Sequence, residues 1–457
     1  MIRISSKRRR KGVIMILFTM MFLFVILPAV GLAIDSGVLF VTKDKMQTAV
    51  DGASLSAARS LSRGVDFASQ QAAAATTAAK FFRMNMESGF MGVSALTDPT
   101  VTFPAGSPQT MIVQVDAVVQ APTYFMRILG PSSVTIRSSS QTSRRFVNIM
   151  MVIDRSGSLG SACAQVRSAA KQFAQTFVNG RDKLGLVTFG TSYRTDFPIN
   201  SNFLTTGSGV PDLVTNLTCI GGTNAGAAYW QAYQQLLALN EPGALNVILF
   251  FTDGAPNTIH MPSLEIKSSS SCTDKTTLRN GVIAATTGSK AAGLFVGVQT
   301  LPPGSGISPD TAFITNSANC SYTGNYTNVD NDVVAITRTG QPEVDIFGTS
   351  LTGWKSVTRD GSGRIALTNS NTTNTGINVL VNAAENARNN TSLNVMTYAV
   401  GLGSAVDEEI LNRVANVPAT AHYNSTRAAG KYIYAADGSQ LQSAFAQLAS
   451  EVLRISR

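Results

Sequence analysis

The chain opens on an abrupt change of pattern. Between Val13 and Ile34 lie 22 residues without a charge, close to the ~20 that a helix needs to cross the hydrocarbon of a bilayer. From Lys43 to Arg83 the pattern turns helical and amphipathic, with Met46, Val50, Ala53, Ala57 and Leu61 recurring at spacings of three and four. The stripe is narrow and Ala-rich, so another helix can approach it closely, and either a partner or the protein's own next domain should cover it. Alternation then takes over. Strands are predicted over Val101–Phe103, Met111–Val119, Tyr124–Leu129 and Val134–Arg137, divided by the turn signals Ala105-Gly106-Ser107-Pro108 and Gly130-Pro131.

Beyond Arg145 the apolar residues come in unbroken runs. Phe146–Ile153 (FVNIMMVI) and Asn246–Phe251 suit central strands buried on both faces. Between them the sequence predicts a helix over Ala162–Val178, a strand over Leu184–Phe189 and a helix over Ala227–Leu239. A further helix is predicted over Gly376–Asn389 and a strand over Leu393–Leu402. Ser439 and Gln442 match a capping box, and Leu441, Phe445, Leu448 and Val452 form the stripe of a terminal helix. Strands alternating with helices predict an α/β fold with a doubly wound sheet, parallel apart from one antiparallel edge. Residues 258–375 exceed what one strand-to-helix step requires. They form an insertion rich in Ser, Thr, Asn and Gly, which emerges just after Asp253 and should lie beside it. Its Asn-x-Ser/Thr triplets, such as Asn325-Tyr326-Thr327, reflect that loop composition.

Charge sharpens the picture at the N-terminus. Of the net +9, six positive charges precede residue 12 with no acid among them, leaving +3 for the rest of the chain. No broad basic face is implied, and nucleic acid drops out as a partner. Basic residues before the apolar run place the N-terminus in the cytoplasm and everything beyond Asp35 outside. The alternative is a cleaved signal peptide, for which Gly31-Leu32-Ala33 offers small residues, but the run exceeds the usual ~7–15 residues of a signal core. All four cysteines fall on the exported side, where disulfides are favoured over metal-binding thiols. Three pairings are possible. Cys163 with Cys219 would tie two loops together, and Cys272 with Cys320 would staple the insertion.

The candidate chemistry lies where the buried strands end. Phe146–Ile153 runs into Asp154-Arg155-Ser156-Gly157-Ser158, which puts one carboxylate and two hydroxyls on one loop, oxygen donors of the kind hard cations prefer. Gly221-Gly222-Thr223 opens a helix, and Thr252-Asp253-Gly254 closes the second buried strand. In open α/β sheets such carboxyl-edge loops converge over one crevice, where ligands bind. His260 follows Asp253 closely, but a surface loop histidine is the expectation for it. The sequence holds no G-x-S-x-G elbow, no H-E-x-x-H and no G-x-x-x-x-G-K.

Two resemblances follow from these residues. Asp35-Ser36-Gly37 and Lys45–Ala58 (KMQTAVDGASLSAA), directly after a basic-flanked apolar helix, resemble the N-terminal segment of TadE/TadG-like Flp pilus-assembly proteins. That implies a bacterial inner membrane and the tight-adherence pilus machinery. Prepilin-like members carry a glutamate five residues after a cleavable glycine. Here Leu17 stands at that distance from Gly12, so the TadG-like branch fits better.

The ordered set D-x-S-x-S, G-G-T and T-D-G resembles the metal-ion-dependent adhesion site of von Willebrand factor A (VWA) domains, whose fold is Rossmann-like. It matches at Asp154, Ser156, Ser158, Thr223 and Asp253. The resemblance implies a divalent cation, Mg²⁺ first with Mn²⁺ or Ca²⁺ as alternatives, held directly by Ser156 and Ser158. Thr223, Asp253 and Asp154 would bind it directly or through water, and an acidic side chain of a protein partner, a pilus or secretion-system component, would complete its shell.

The expected organisation is a basic cytoplasmic tail (1–12), a transmembrane helix (13–34), a helical stalk with a small β unit (35–145) and a VWA domain (146–457) with its insertion. The expected role is metal-dependent binding by a single-pass inner-membrane protein with a periplasmic bulk. The alternatives are a released surface adhesin and, disfavoured for want of a general base beyond the ligands themselves, a metal-dependent hydrolase.

Overall fold

A computed structural model describes residues 9–61, 67–93, 96–105, 109–128, 130–265, 278–285, 291–295 and 333–455. Cys272, Cys320 and the triplet at Asn325 lie outside them. The chain divides into two compact units, one running to Arg144 and the other from Arg145 to Ser456.

In the first unit, α1 (Arg9–Met21) and α2 (Leu27–Ser60) continue one another through a π-helical stretch, Phe22–Ile26. Pro28 explains the stretch: it offers no N–H to the carbonyl four residues back, and its ring crowds that carbonyl, so the preceding turn widens. The helix is long and apolar enough to cross a membrane, with mean hydropathy 2.6 in its most apolar window. The stripe Met46, Val50, Ala53, Ala57 and Leu61 is buried throughout. It is covered from within the unit by α3 (Phe67–Asn85), whose Ala74, Ala78 and Phe82 are buried in turn. Strands β1 (Thr100–Thr102), β2 (Thr110–Pro122) and β3 (Ser133–Arg145) form a three-stranded sheet in that order.

The strand expected over Tyr124–Leu129 is absent from the described part of that segment. Met126–Ile128 is a 3₁₀ turn instead. Asp35 of α2 accepts the N–H groups of Tyr124 (2.9 Å), Phe125 (2.9 Å) and Met126 (2.6 Å), so these donors cannot enter a ladder.

The second unit is built on a six-stranded sheet. Its strands are β4 (Val147–Asp154), β5 (Lys183–Phe189), β6 (Tyr193–Asn200), β7 (Leu245–Thr252), β11 (Met396–Leu402) and β12 (Lys431–Ala435), in the order β12-β11-β7-β4-β5-β6. All neighbours are parallel except β6, which runs antiparallel at the edge. This is the expected doubly wound architecture.

The apolar runs are the reason β4 and β7 are central. Ile149, Met151 and Ile153 point with Val247, Leu249 and Phe251 into one core, beneath α4 (Cys163–Gln175), the short α5 (Val210–Thr215) and α9 (Leu441–Ile455). Met150 and Val152 point with Ile248 and Phe250 into the other, beneath α6 (Ala225–Leu239), α7 (Asn369–Asn389) and α8 (Glu408–Ala415). A strand flanked by two cores needs apolar side chains on both faces, which Ile149–Ile153 and Val247–Phe251 supply, while the buried Asn148 and Asn246 at the strand starts bond to one another.

The expected capping box before α9 does not form. Asp437 caps instead, accepting the N–H of Ser439 at 2.8 Å, while Gln440 accepts the N–H of Ala436 at 3.0 Å. Gln442 reaches Ser168. The described part of the insertion contains regular strands. Strands β8 (Thr258–Glu265), β9 (Leu278–Ala285) and β10 (Ala291–Phe295) pair antiparallel in a separate sheet. Ile259, Met261, Leu264 and Ile283 join Val333, Ile336, Leu351 and Ile365 in a satellite core.

Candidate metal centre

Asp154 is the last residue of β4 and Asp253 follows the last residue of β7. Because β4 and β7 are paired in parallel, Ile153 opposite Phe251, the two acids emerge side by side at the carboxyl edge. The loop after β4 turns sharply, with Gly160 at φ 47°, and carries both serine hydroxyls back towards β7. Ser158 donates to Asp253 Oδ1 at 2.8 Å, Ser156 stands 3.4 Å from the same oxygen, and the two hydroxyls are 2.9 Å apart. Asp154 is fully buried. Its Oδ1 accepts the Ser156 N–H at 2.7 Å and its Oδ2 accepts the Thr252 hydroxyl at 2.6 Å.

Thr223 reaches this edge through its backbone. Gly157 donates to the Gly221 carbonyl at 3.0 Å and Ile220 to the Arg155 carbonyl at 2.7 Å, clamping the G-G-T loop against the first loop. From the other side, Asn257 Oδ1 accepts the Thr223 N–H at 2.7 Å, and Thr191 Oγ1 accepts the Gly222 N–H at 3.0 Å. Gly222 stands at this junction because there is no room for more: a Cβ there would lie 2.6 Å from Thr258 Cγ2 and 2.9 Å from Asn257 Oδ1. The Cys163–Cys219 disulfide is present, with Cα atoms 6.2 Å apart. It joins the start of α4, just past the first loop, to the chain entering the second.

The structure therefore gathers Asp154, Ser156, Ser158 and Asp253 into one hydrogen-bonded group, with Thr223 held beside it by main-chain bonds. Sequence reasoning missed the supports: Thr252 on Asp154, Asn257 on Thr223 and Thr191 on Gly222. Only Thr252 carried a signal, as a hydroxyl at the end of an apolar strand. His260 is corrected. It is a buried residue of β8 with Nε2 2.6 Å from Asn280 Oδ1, and burial lowers its pKa.

The electrostatics favour a cation. Burial raises the pKa of Asp154, and the neighbouring Asp253 raises it further; burial raises Asp253 as well. Two acids sharing so little solvent repel one another when both are ionised. The donor set is oxygen only, carboxylate and hydroxyl, and so fits a small hard divalent ion and not a soft one.

Two family models match parts of the chain. A model of the von Willebrand factor type A domain matches residues 148–292. One described as putative Flp pilus-assembly TadE/G-like matches residues 12–60. The chain thus carries a VWA domain behind a TadE/G-like N-terminal segment. Among solved structures, the pilus adhesin SpaC from Lactobacillus rhamnosus GG aligns at 12% identity and TM-score 0.38, covering 78% of this chain and 34% of SpaC. The chain thus spans about a third of that adhesin's length. The PilB minor pilin from Streptococcus sanguinis aligns at 12% identity and TM-score 0.35, covering 79% of each chain. The vWF domain of the type V pili tip protein Mfa5 from Porphyromonas gingivalis aligns at 14% identity and TM-score 0.37, covering 69% of this chain and 97% of that one. Comparison with curated proteins gives no match.

Proposed function

We propose that this chain is a bacterial inner-membrane protein of a Tad-type pilus system whose exported VWA domain grips an acidic group on a protein partner through a divalent cation. The observation that carries the reading is the meeting of Ser156, Ser158 and Asp253 within hydrogen-bond distance, with Asp154 buried behind them. Ser156 and Ser158 would hold the cation directly, with Asp154, Asp253 and Thr223 completing the protein's share of the shell. When bound, the ion supplies an open coordination position that a carboxylate from outside can fill. Thr252 keeps Asp154 turned towards the site, and Asn257 and Thr191 fix the height of the G-G-T loop.

The reading is of a binding protein, because the acids of the site are engaged by hydroxyls and amides that position them as ligands. The apolar helix up to Ile34 would hold the chain in the membrane, its basic N-terminal flank retained in the cytoplasm. Mg²⁺ is the expected ion, with Mn²⁺ or Ca²⁺ as alternatives.

Calorimetric titration of the fragment Arg145–Arg457 with Mg²⁺ and Mn²⁺ tests the site, with Asp154→Ala and Asp253→Ala beside it. Binding by the parent that is lost in both variants supports it, and retention of a neighbouring Tad component that a chelator abolishes extends it to the partner. Full metal affinity in both variants would remove the mechanism.

A further inference from the structure

The apolar stretch of the N-terminal helix does not stop at Ile34. From Gly12 to Thr42 the only ionisable residue is Asp35. These 31 residues would extend about 46 Å as helix, against about 30 Å of hydrocarbon. Phe40 and Val41 are exposed beyond Asp35, as are Leu32 and Ile34 before it. A lone carboxylate in such a surface needs a partner. Asp35 is buried, and its partners are the three consecutive amides of Tyr124, Phe125 and Met126.

Those bonds fix the turn between β2 and β3 at the level where the helix would leave the bilayer. Gly31 sits one turn before Asp35, and a Cβ there would lie 2.7 Å from Phe125 Cβ, so the turn lies directly on the helix. What the turn presents outward is apolar and basic: Tyr124, Phe125 and Ile128 are exposed, Ile128 at 78%, and Arg127 is exposed among them.

Most of the described amides of the turn are already hydrogen-bonded. Besides the three amides on Asp35, Thr123 donates to the Ser132 carbonyl, Ile128 to that of Phe125 and Gly130 to that of Met126, at 2.7 to 3.1 Å. The Thr123 hydroxyl donates to the Pro131 carbonyl. Non-helical backbone is costly near lipid mainly because its polar groups lose water. Here that cost is largely met in advance.

We infer that the turn around Tyr124–Ile128 is a membrane-interface anchor. Tyr124, Phe125 and Ile128 enter the headgroup and upper acyl region beside the helix, and Arg127 meets anionic lipid phosphates. An aromatic and basic collar of this kind is what the boundary of a bilayer selects. The occupant is the lipid surface because the turn lies against the helix at Gly31, and its exposed Phe125 and Ile128 belong to the same unit as the exposed Leu32 and Ile34 of the helix that would cross the bilayer. The β unit would thereby be fastened to the membrane at two points, through α2 and through this turn. The inference rests on the proposal that the helix spans the membrane.

The test uses the full chain in vesicles of phosphatidylethanolamine and phosphatidylglycerol, with or without brominated acyl chains. Ile128→Trp and Leu17→Trp are compared with the parent, whose two tryptophans, Trp230 and Trp354, belong to the second unit. Loss of most of the introduced emission in both variants, with a blue shift for Ile128→Trp, supports the anchor. Quenching of Leu17→Trp alone overturns the anchor and leaves the spanning helix in place, as would occur if a second copy of the chain or another protein covered the turn. Quenching of neither overturns both.

Discussion

Replacing both cysteines of the bridge, as Cys163→Ala with Cys219→Ala, tests how the candidate metal centre is held together. The bridge spans 56 residues. Chain-entropy reasoning for a loop of that length gives about 4 kcal/mol at 25 °C, acting on the unfolded state. Some of this is offset in measured proteins, so the expected loss is about 2–4 kcal/mol. Cys163 packs in the core against α4's own apolar face, and alanine there opens only a small gap. The loss should therefore appear mostly as a lower urea midpoint of the fragment Arg145–Arg457, with the native spectrum intact. The parent measured under reduction should lose at least as much as the double variant, because reduction also opens this loop. The bridge also ties the first site loop to the G-G-T loop, so cation affinity should fall with stability. A midpoint that moved by less than the equivalent of about 1 kcal/mol, below the usual range for a native bridge, would refute the argument that this loop is constrained by the disulfide.

Three further outcomes are expected. Gly222→Ala would push the G-G-T loop from Thr258 and Asn257, displacing Thr223; Mg²⁺ affinity should drop at least tenfold by calorimetry with stability changed little. Thr252→Val would leave Asp154 Oδ2 without its donor at a buried position, which costs about 1–3 kcal/mol and is read as a lower urea midpoint of the metal-free fragment. Asp345 is buried, and burial raises its pKa to about 6 from 3.8. A raised pKa contributes stability at low pH that is lost as pH climbs from about 4 to about 6, worth up to about 3 kcal/mol. Asp345→Asn keeps an acceptor for the Phe347 and Thr349 amides, so it should flatten that decline and exceed the parent in stability above pH 6, as followed by urea unfolding across pH.

The sheet was legible because burial on two faces leaves no choice of residue: β4 and β7 read as apolar runs, and each ends in its acid. The site residues were legible for the related reason that oxygen donors stand at fixed offsets from those strand ends. The remainder depended on partners distant in sequence. Tyr124–Leu129 is apolar and aromatic like a strand, yet Asp35, far earlier in the chain, takes the amides a ladder would need. His260 looked like a loop residue because it follows Asp253 at the head of an insertion rich in Ser, Thr, Asn and Gly, whereas β8 is half covered by the satellite core around Ile259 and Leu264. Ser439 and Gln442 satisfied a local capping rule that Asp437, two residues earlier, satisfies better because a carboxylate is the stronger acceptor. Asn257 and Thr191 gave no signal, since what they support is main chain.

The parallel pairing of β4 with β7 has a consequence for the life of the chain. Ser156 and Asp253, which meet in the folded protein, are separated by 97 positions in sequence. On the proposed function, a chain being threaded across a membrane would hold the first loop long before the second, and the proposed ligands would stand as a set only once the central strands had paired. Divalent ions would then bind the finished domain and not its precursor, which stabilises the native state by mass action in proportion to their concentration outside. The ion would thus favour chains in which these two central strands have already paired.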